Sequence, residues 1–158
     1  MFDSAFSHNE YISIIKKFEP ICCDFSEVMG KNKFALVRHD IEFSVQRALE
    51  LGKLDHKIGI NSSFLFQVKS GAYNIFSNEN LDIIKELSSF GHHNGLHLYM
   101  SHIKEHDWKS LNIELAQQKK ILDIATNHNV DRFSFHRPPT WVLSNRTDLM
   151  CDMINMYG

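Results

Sequence analysis

The chain has 158 residues, 43% of them apolar, and a formal net charge of −2. That length suits one domain over 1–158, the charge balance excludes a nucleic-acid or anionic-membrane partner drawn by bulk electrostatics, and no apolar run approaches the roughly 18 residues of a membrane span. The N-terminus lacks the basic start and apolar stretch of a signal peptide, and adjacent Cys22 and Cys23 with a lone Cys151 fit neither a disulfide framework nor a Cys-x-x-Cys zinc site, so a cytoplasmic location is expected.

Tyr11, Ile14, Ile15 and Phe18 recur at helical spacing, which predicts a helix from His8 to Phe18 stopped by Pro20. Ile21 to Met29 reads as a short strand and turn. Phe34-Ala35-Leu36-Val37 reads as a buried strand running into Arg38-His39-Asp40. Ser44 is an N-cap for a helix over 45–54, and Ile58 to Gln67 is a second strand. Ser77 or Asn78 caps a third helix, which Gly91 closes as a C′ residue. His92 to Leu98 is a third strand, Asp107 to Asn127 the longest helix, and Val130 to Phe135 a fourth strand. Leu149, Met150, Met153 and Ile154 predict a last helix over 145–155. Strand–helix alternation of this kind predicts an α/β fold with mainly parallel strands and crossover helices. Four βα units are too few for a closed eight-unit barrel.

Polar clusters end three of the strands, and strand C-termini gather on one face in such folds. In Arg38-His39-Asp40-Ile41-Glu42, alternation places Arg38, Asp40 and Glu42 on one face. Two carboxylates so placed can divide the holding of a cation from the holding of a proton; the plain alternative is a solvated strand end with Arg38 paired to Asp40. In Gly91-His92-His93-Asn94-Gly95-Leu96-His97, His93 and His97 share a face, and His97 lies nearest the loop as a metal ligand or a hydrogen-bonded structural ring. His102 follows and can fold back towards it. Arg137 precedes Pro138, which predicts extended backbone and a fixed guanidinium able to clamp a carboxylate; the alternative is an exposed loop arginine.

Together these clusters resemble the polysaccharide deacetylase superfamily, also called NodB-homology or carbohydrate esterase family four. They are most similar to its WbmS-like branch, found among surface-polysaccharide and O-antigen biosynthesis proteins. The likeness rests on Leu36 to Ser44, Asn61 to Phe66, Tyr73 to Ser77, Gly91 to His97 and Ser134 to Pro138, in order along the chain. The resemblance implies a distorted (β/α) barrel with fewer than eight strands. It implies metal-dependent hydrolysis of the acetamide of an N-acetylated saccharide or nucleotide sugar. A zinc ion is held by one Asp and two His in the family. A second Asp is general base, a His is general acid, and an Arg in the third motif orients the base. Carried over, Asp40 matches the leading aspartate and Glu42 stands at the second. His97 matches the first metal histidine, and Arg137 the third-motif arginine with His136 beside it. Asp40, Glu42, His136 and Arg137 are thus the expected catalytic residues, and Asp40, Glu42, His97 and His102 the expected metal set.

The chain departs from the family where the second metal histidine belongs: Ser101 stands there, with His102 as its substitute. It also stops before the strands that normally close the barrel and supply a further histidine. A non-catalytic, truncated deacetylase-like domain that binds metal weakly or not at all is therefore the alternative. Open sheet edges would favour a homodimer. His39-Asp40 also suggests a His-Asp phosphohydrolase, whose metal site requires an all-helical bundle.

Overall fold

The computed structural model describes residues 7–100, 102–145 and 147–157. Ser7 opens the first helix with a capping box, its side chain accepting from Glu10 N while Glu10 reaches back. This helix, α1 (His8–Ile15), is a turn shorter than its apolar spacing predicts, because the chain passes into a 3-10 turn at Glu19–Ile21 around Pro20. The strand and turn expected over 21–29 is a second 3-10 turn, Phe25–Glu27, plus one isolated bridge between Cys22 and Ala35.

The first full strand lies further along than predicted. It is β1 (Arg38–Ile41), not Phe34 to Val37. The pairing decides this: Arg38 to Ile41 lie beside Ser63 to Phe66 of β2 (Ser63–Phe66), whereas Phe34 stays exposed. Between them runs α2 (Val45–Lys57), capped by Ser44 as expected. Ser77 caps α3 (Asn78–Ser89), and Gly91 ends it at φ +86°, a conformation that favours glycine. Then come β3 (His93–Tyr99), α4 (Trp108–Thr126) and β4 (Arg132–His136).

The last predicted helix is not formed. A short helix, α5 (Thr140–Leu143), is followed by a hairpin of β5 (Leu149–Met150) and β6 (Met153–Asn155). Leu149 pairs with Ile154 and Met150 with Met153 across a two-residue turn. Cys151 and Asp152 both have positive φ, 50° and 59°, as a primed hairpin turn requires.

The six strands form one sheet in the order β1-β2-β3-β4-β6-β5, parallel except for β5. A mainly parallel α/β sheet is thus present, which excludes the all-helical phosphohydrolase. The described strands do not close a barrel; β1 and β5 are its edges. The sheet is nevertheless strongly curled. Three strand spacings of ~4.8 Å would put β1 and β4 roughly 14 Å apart in a flat sheet. Here Asp40 and Ser134 side chains meet at 3.2 Å, as do Glu42 and His136 at 2.7 Å just past the strand end.

Alternation sorts the two faces. Ile41, Phe64, Phe66, Leu96, Leu98, Phe133 and Phe135 join Val45, Ile84, Leu87, Leu111, Leu115 and Leu122 of the helices in the main apolar core. The residues between them, Arg38, Asp40, Ser63, His93, His97, Arg132, Ser134 and His136, share the other, concave face. Gly95 sits there too. A Cβ on it would lie 2.2 Å from Leu65 Cδ2 and 2.8 Å from the Arg132 carbonyl oxygen, and that backbone atom cannot easily yield. Gly95→Ala is expected to destabilise the fold by about 1–3 kcal/mol, measured as a lower urea midpoint; an unchanged midpoint would show that the strands spread freely.

Candidate metal centre

Glu42, His97 and His136 converge at the C-terminal ends of β1, β3 and β4. One donor atom from each lies within 4.8 Å of the other two. His136 Nδ1 is 2.7 Å from Glu42 Oε1 and 3.2 Å from His97 Nε2, and His97 Nε2 is 3.3 Å from the same Glu42 oxygen. Donors held at ~2.0–2.2 Å by one tetrahedral zinc stand roughly 3.3 Å apart, so the spacing suits a shared cation. Each residue also offers a zinc-compatible donor, two imidazole nitrogens and a carboxylate oxygen.

The surroundings prepare His97 for that use. Its ring is buried at the centre of the sheet. Ser134 Oγ lies 2.7 Å from Nδ1, and the Ser134 hydroxyl donates to Asp40 Oδ1 at 3.2 Å. With that hydroxyl proton committed to Asp40, Nδ1–H donates to Ser134, and the Nε2 lone pair is left facing Glu42 and His136. Burial lowers the His97 pKa, outweighing the pull of Asp40 and Glu42, which favours the neutral ring that a metal ligand requires. Burial acts to raise the Glu42 carboxyl, but contact with His97 and His136 overcomes it and the net shift is downward. Outer hydrogen bonds of this kind orient metal-binding histidines.

Of the residues expected from the sequence, the structure thus brings Asp40, Glu42, His97 and His136 together. Asp40 lies on the Nδ1 side of His97, 3.8 Å away, outside the three-donor group. His136, expected among the catalytic residues and not in the metal set, lies within that group. His102 does not reach it. The chain turns away after β3, and the His102 ring is exposed, with Nε2 3.5 Å from Glu114. Ser101 lies outside the described residues. Arg137 is not extended: its φ is +48°, its side chain is exposed, and no ion pair holds it among the described residues. Asp40 instead receives Arg38 Nη2 at 3.1 Å. Ser134 was missed from sequence, although its position two residues before His136 signals a shared face.

Two hollows flank His136. One, of about 520 Å³, is walled by Tyr99, Met100, Ile103 and Trp141. The other, of about 230 Å³, lies beside Glu42, Phe43 and Lys69. Both include Tyr99, His136 and Arg137. The Tyr99 ring packs edge-on to His136 at 5.2 Å.

The solved structure of Streptococcus pyogenes deacetylase PplD in complex with acetate is similar to this chain, with a TM-score of 0.58. The likeness lies in the fold. It covers 89% of this chain and 73% of that one at 14% identity. No family model and no curated protein matches. Among the described residues no helix is long and apolar enough to cross a membrane.

Proposed function

We propose that the chain is a metal-dependent hydrolase that removes an acetyl group from an N-acetylated saccharide or nucleotide sugar, as expected of the WbmS-like deacetylases of surface-polysaccharide synthesis. The observation that carries this reading is the meeting of Glu42, His97 and His136 beside Asp40 at the mouth of the curled sheet. The fold shared with a deacetylase that was solved with acetate supports it.

Glu42, His97 and His136 would hold the cation, with zinc the best match for one carboxylate and two imidazoles. Such an ion lowers the pKa of a bound water towards about 7 and polarises an acyl oxygen. Asp40 is the proton acceptor. One of its oxygens is engaged by Ser134 and the other by Arg38, yet each keeps a lone pair. As water oxygen bonds to the acyl carbon, an Asp40 oxygen takes its proton. The same carboxyl then returns that proton to the departing nitrogen as the C–N bond breaks, leaving acetate and an amine. Because the Asp40 carboxyl both takes and returns the proton, His136 is left free to serve as a donor to the cation. Tyr99 and Trp141 offer apolar walls on which a sugar ring can lie.

The 2.7 Å contact between His136 and Glu42 favours one other reading, a site satisfied by its own hydrogen bonds and without turnover. The purified chain should retain about one zinc per molecule and release acetate from N-acetylated oligosaccharides or nucleotide sugars, with chelator abolishing release. Zinc retention without acetate would leave a binding domain; neither would remove the hydrolase.

A further inference from the structure

We propose that Arg38, held in place by Tyr157, is the positioning residue that fixes the Asp40 carboxylate for proton transfer. This rests on the reading of Asp40 as the proton acceptor. It gives Arg38 the place that the sequence assigned to Arg137.

Arg38 lies two residues before Asp40, on the same face of β1. Its guanidinium is a planar fork with five donors. Nη2 donates to Asp40 Oδ2 at 3.1 Å and to the Tyr157 hydroxyl at 3.3 Å. Nη1 donates to the Met156 carbonyl at 3.2 Å. The guanidinium carbon lies 4.8 Å from the centre of the Tyr157 ring, within cation–π range. The fork is therefore fixed in orientation as well as position.

Its holder is itself anchored. Met156 N donates to the Phe133 carbonyl at 3.0 Å, and Tyr157 N to Asn155 Oδ1 at 3.2 Å. The Tyr157 hydroxyl donates to the Phe135 carbonyl at 3.4 Å. Each of these contacts ties the segment after β6 to β4 or to β6 itself. Arg38 reaches it from the far edge of the sheet, so the curl closes at this point through side chains. Asp40 is then gripped from both sides, by Arg38 at Oδ2 and by Ser134 at Oδ1. A carboxylate tethered at both oxygens loses rotational freedom before substrate arrives, which is how a positioning residue accelerates a reaction. Arg137 has no comparable anchor, being exposed and without an ion pair among the described residues.

The test compares Arg38→Met, Arg38→Lys, Tyr157→Ala and Arg137→Met in the full chain. It uses acetate release, zinc affinity by chelator competition, and urea unfolding of the metal-free protein. Arg38→Met should lower kcat by roughly 10- to 100-fold, the range for residues that support a site from outside. KM and zinc affinity should stay within about threefold, since neither metal donors nor pocket walls are touched. Lysine at 38 should restore part of the loss. Tyr157→Ala should act in the same direction, and the double variant with Arg38→Met should be no worse than Arg38→Met alone. In urea the two substitutions should be non-additive, a readout independent of turnover. If Arg137→Met lowers kcat and Arg38→Met does not, the assignment is overturned. Coupling in urea without a change in kcat also overturns the positioning role, leaving a merely structural clamp. A wild-type chain that releases no acetate removes the parent reading and the role with it.

Discussion

Replacing His136 with alanine is expected to weaken zinc binding by more than about 100-fold, because loss of an outer-shell partner alone commonly costs 10- to 100-fold. The expectation follows from geometry. His136 Nδ1 stands 2.7 and 3.2 Å from the donor atoms of Glu42 and His97. Removing it leaves two protein donors where a catalytic zinc site ordinarily has three. Acetate release should fall in parallel, and high zinc should restore part of it. The measurement separates two roles. If His136 were only a proton donor to the leaving group, the rate would fall by about 10²–10⁴ while zinc affinity stayed the same. His102→Ala is the control, since that ring faces Glu114 instead of the donor group, and it should alter neither quantity.

The largest stability loss is expected at Arg132. Its side chain is 1% exposed and fills the concave face at the start of β4. It forms an ion pair with Asp24, donates to Asp131 Oδ1 at 2.8 Å and Ser63 Oγ at 2.9 Å, and lies 3.0 Å from His93 Nδ1. Arg132→Ala should cost about 3–5 kcal/mol in urea unfolding, because the largely buried Asp24 loses its arginine and keeps only His93 and Ser26 as partners. Pairing Arg132→Met with Asp24→Asn should recover most of that loss. A double variant as unstable as the single one would show that packing, not charge, sets the cost.

The same pair fixes an acid limb. Burial acts to raise the Asp24 carboxyl, but hydrogen bonds from Arg132 and Ser26, with the arginine's charge, drive it well below the usual carboxylate range. A lowered folded-state value means that stability is fully present above the unfolded value of about 3.9 and is lost as pH falls below it. Wild-type stability should therefore drop between about pH 4 and 2, and Asp24→Asn should flatten that part of the curve.

Much of the centre was legible because a strand alternates with a period of two. That rule places Arg38, Asp40 and Glu42 on one face, separates His92 from His93 and His97, and the structure agrees. The same rule sets Ser134 and His136 together and sends Arg137 elsewhere. The Arg-Pro-Pro run points the other way, since a following proline predicts extended backbone at Arg137, whereas its φ is +48°. What local pattern could not supply was distance between strands. Nothing in Ser134 or His136 states that β4 curls back to within hydrogen-bonding reach of β1. The second histidine is therefore expected at His102, near in sequence, whereas the ring that lies against His97 is that of His136, 39 residues away.

The hairpin was misread for a different reason. Leu149, Met150, Met153 and Ile154 fit a helical stripe, yet the same four residues form two facing pairs across Cys151-Asp152. The turn lacks the Asn-Gly or Asp-Gly that usually announces it. β1 was displaced because an apolar run attracts a strand assignment, while the actual strand carries charge towards the concave face.

Glu42 and His97 are 55 residues apart in the chain, and the strands that carry them are not neighbours in the sheet. An ion shared by them would act as a removable crosslink of the native state alone, since the donors meet only when the sheet has curled. Folding and loading then become linked equilibria: at free metal 100 times its Kd the native state would gain about 2.7 kcal/mol. Scarcity of the ion would then lower stability together with occupancy, so an unfolding midpoint would report loading without any assay of turnover.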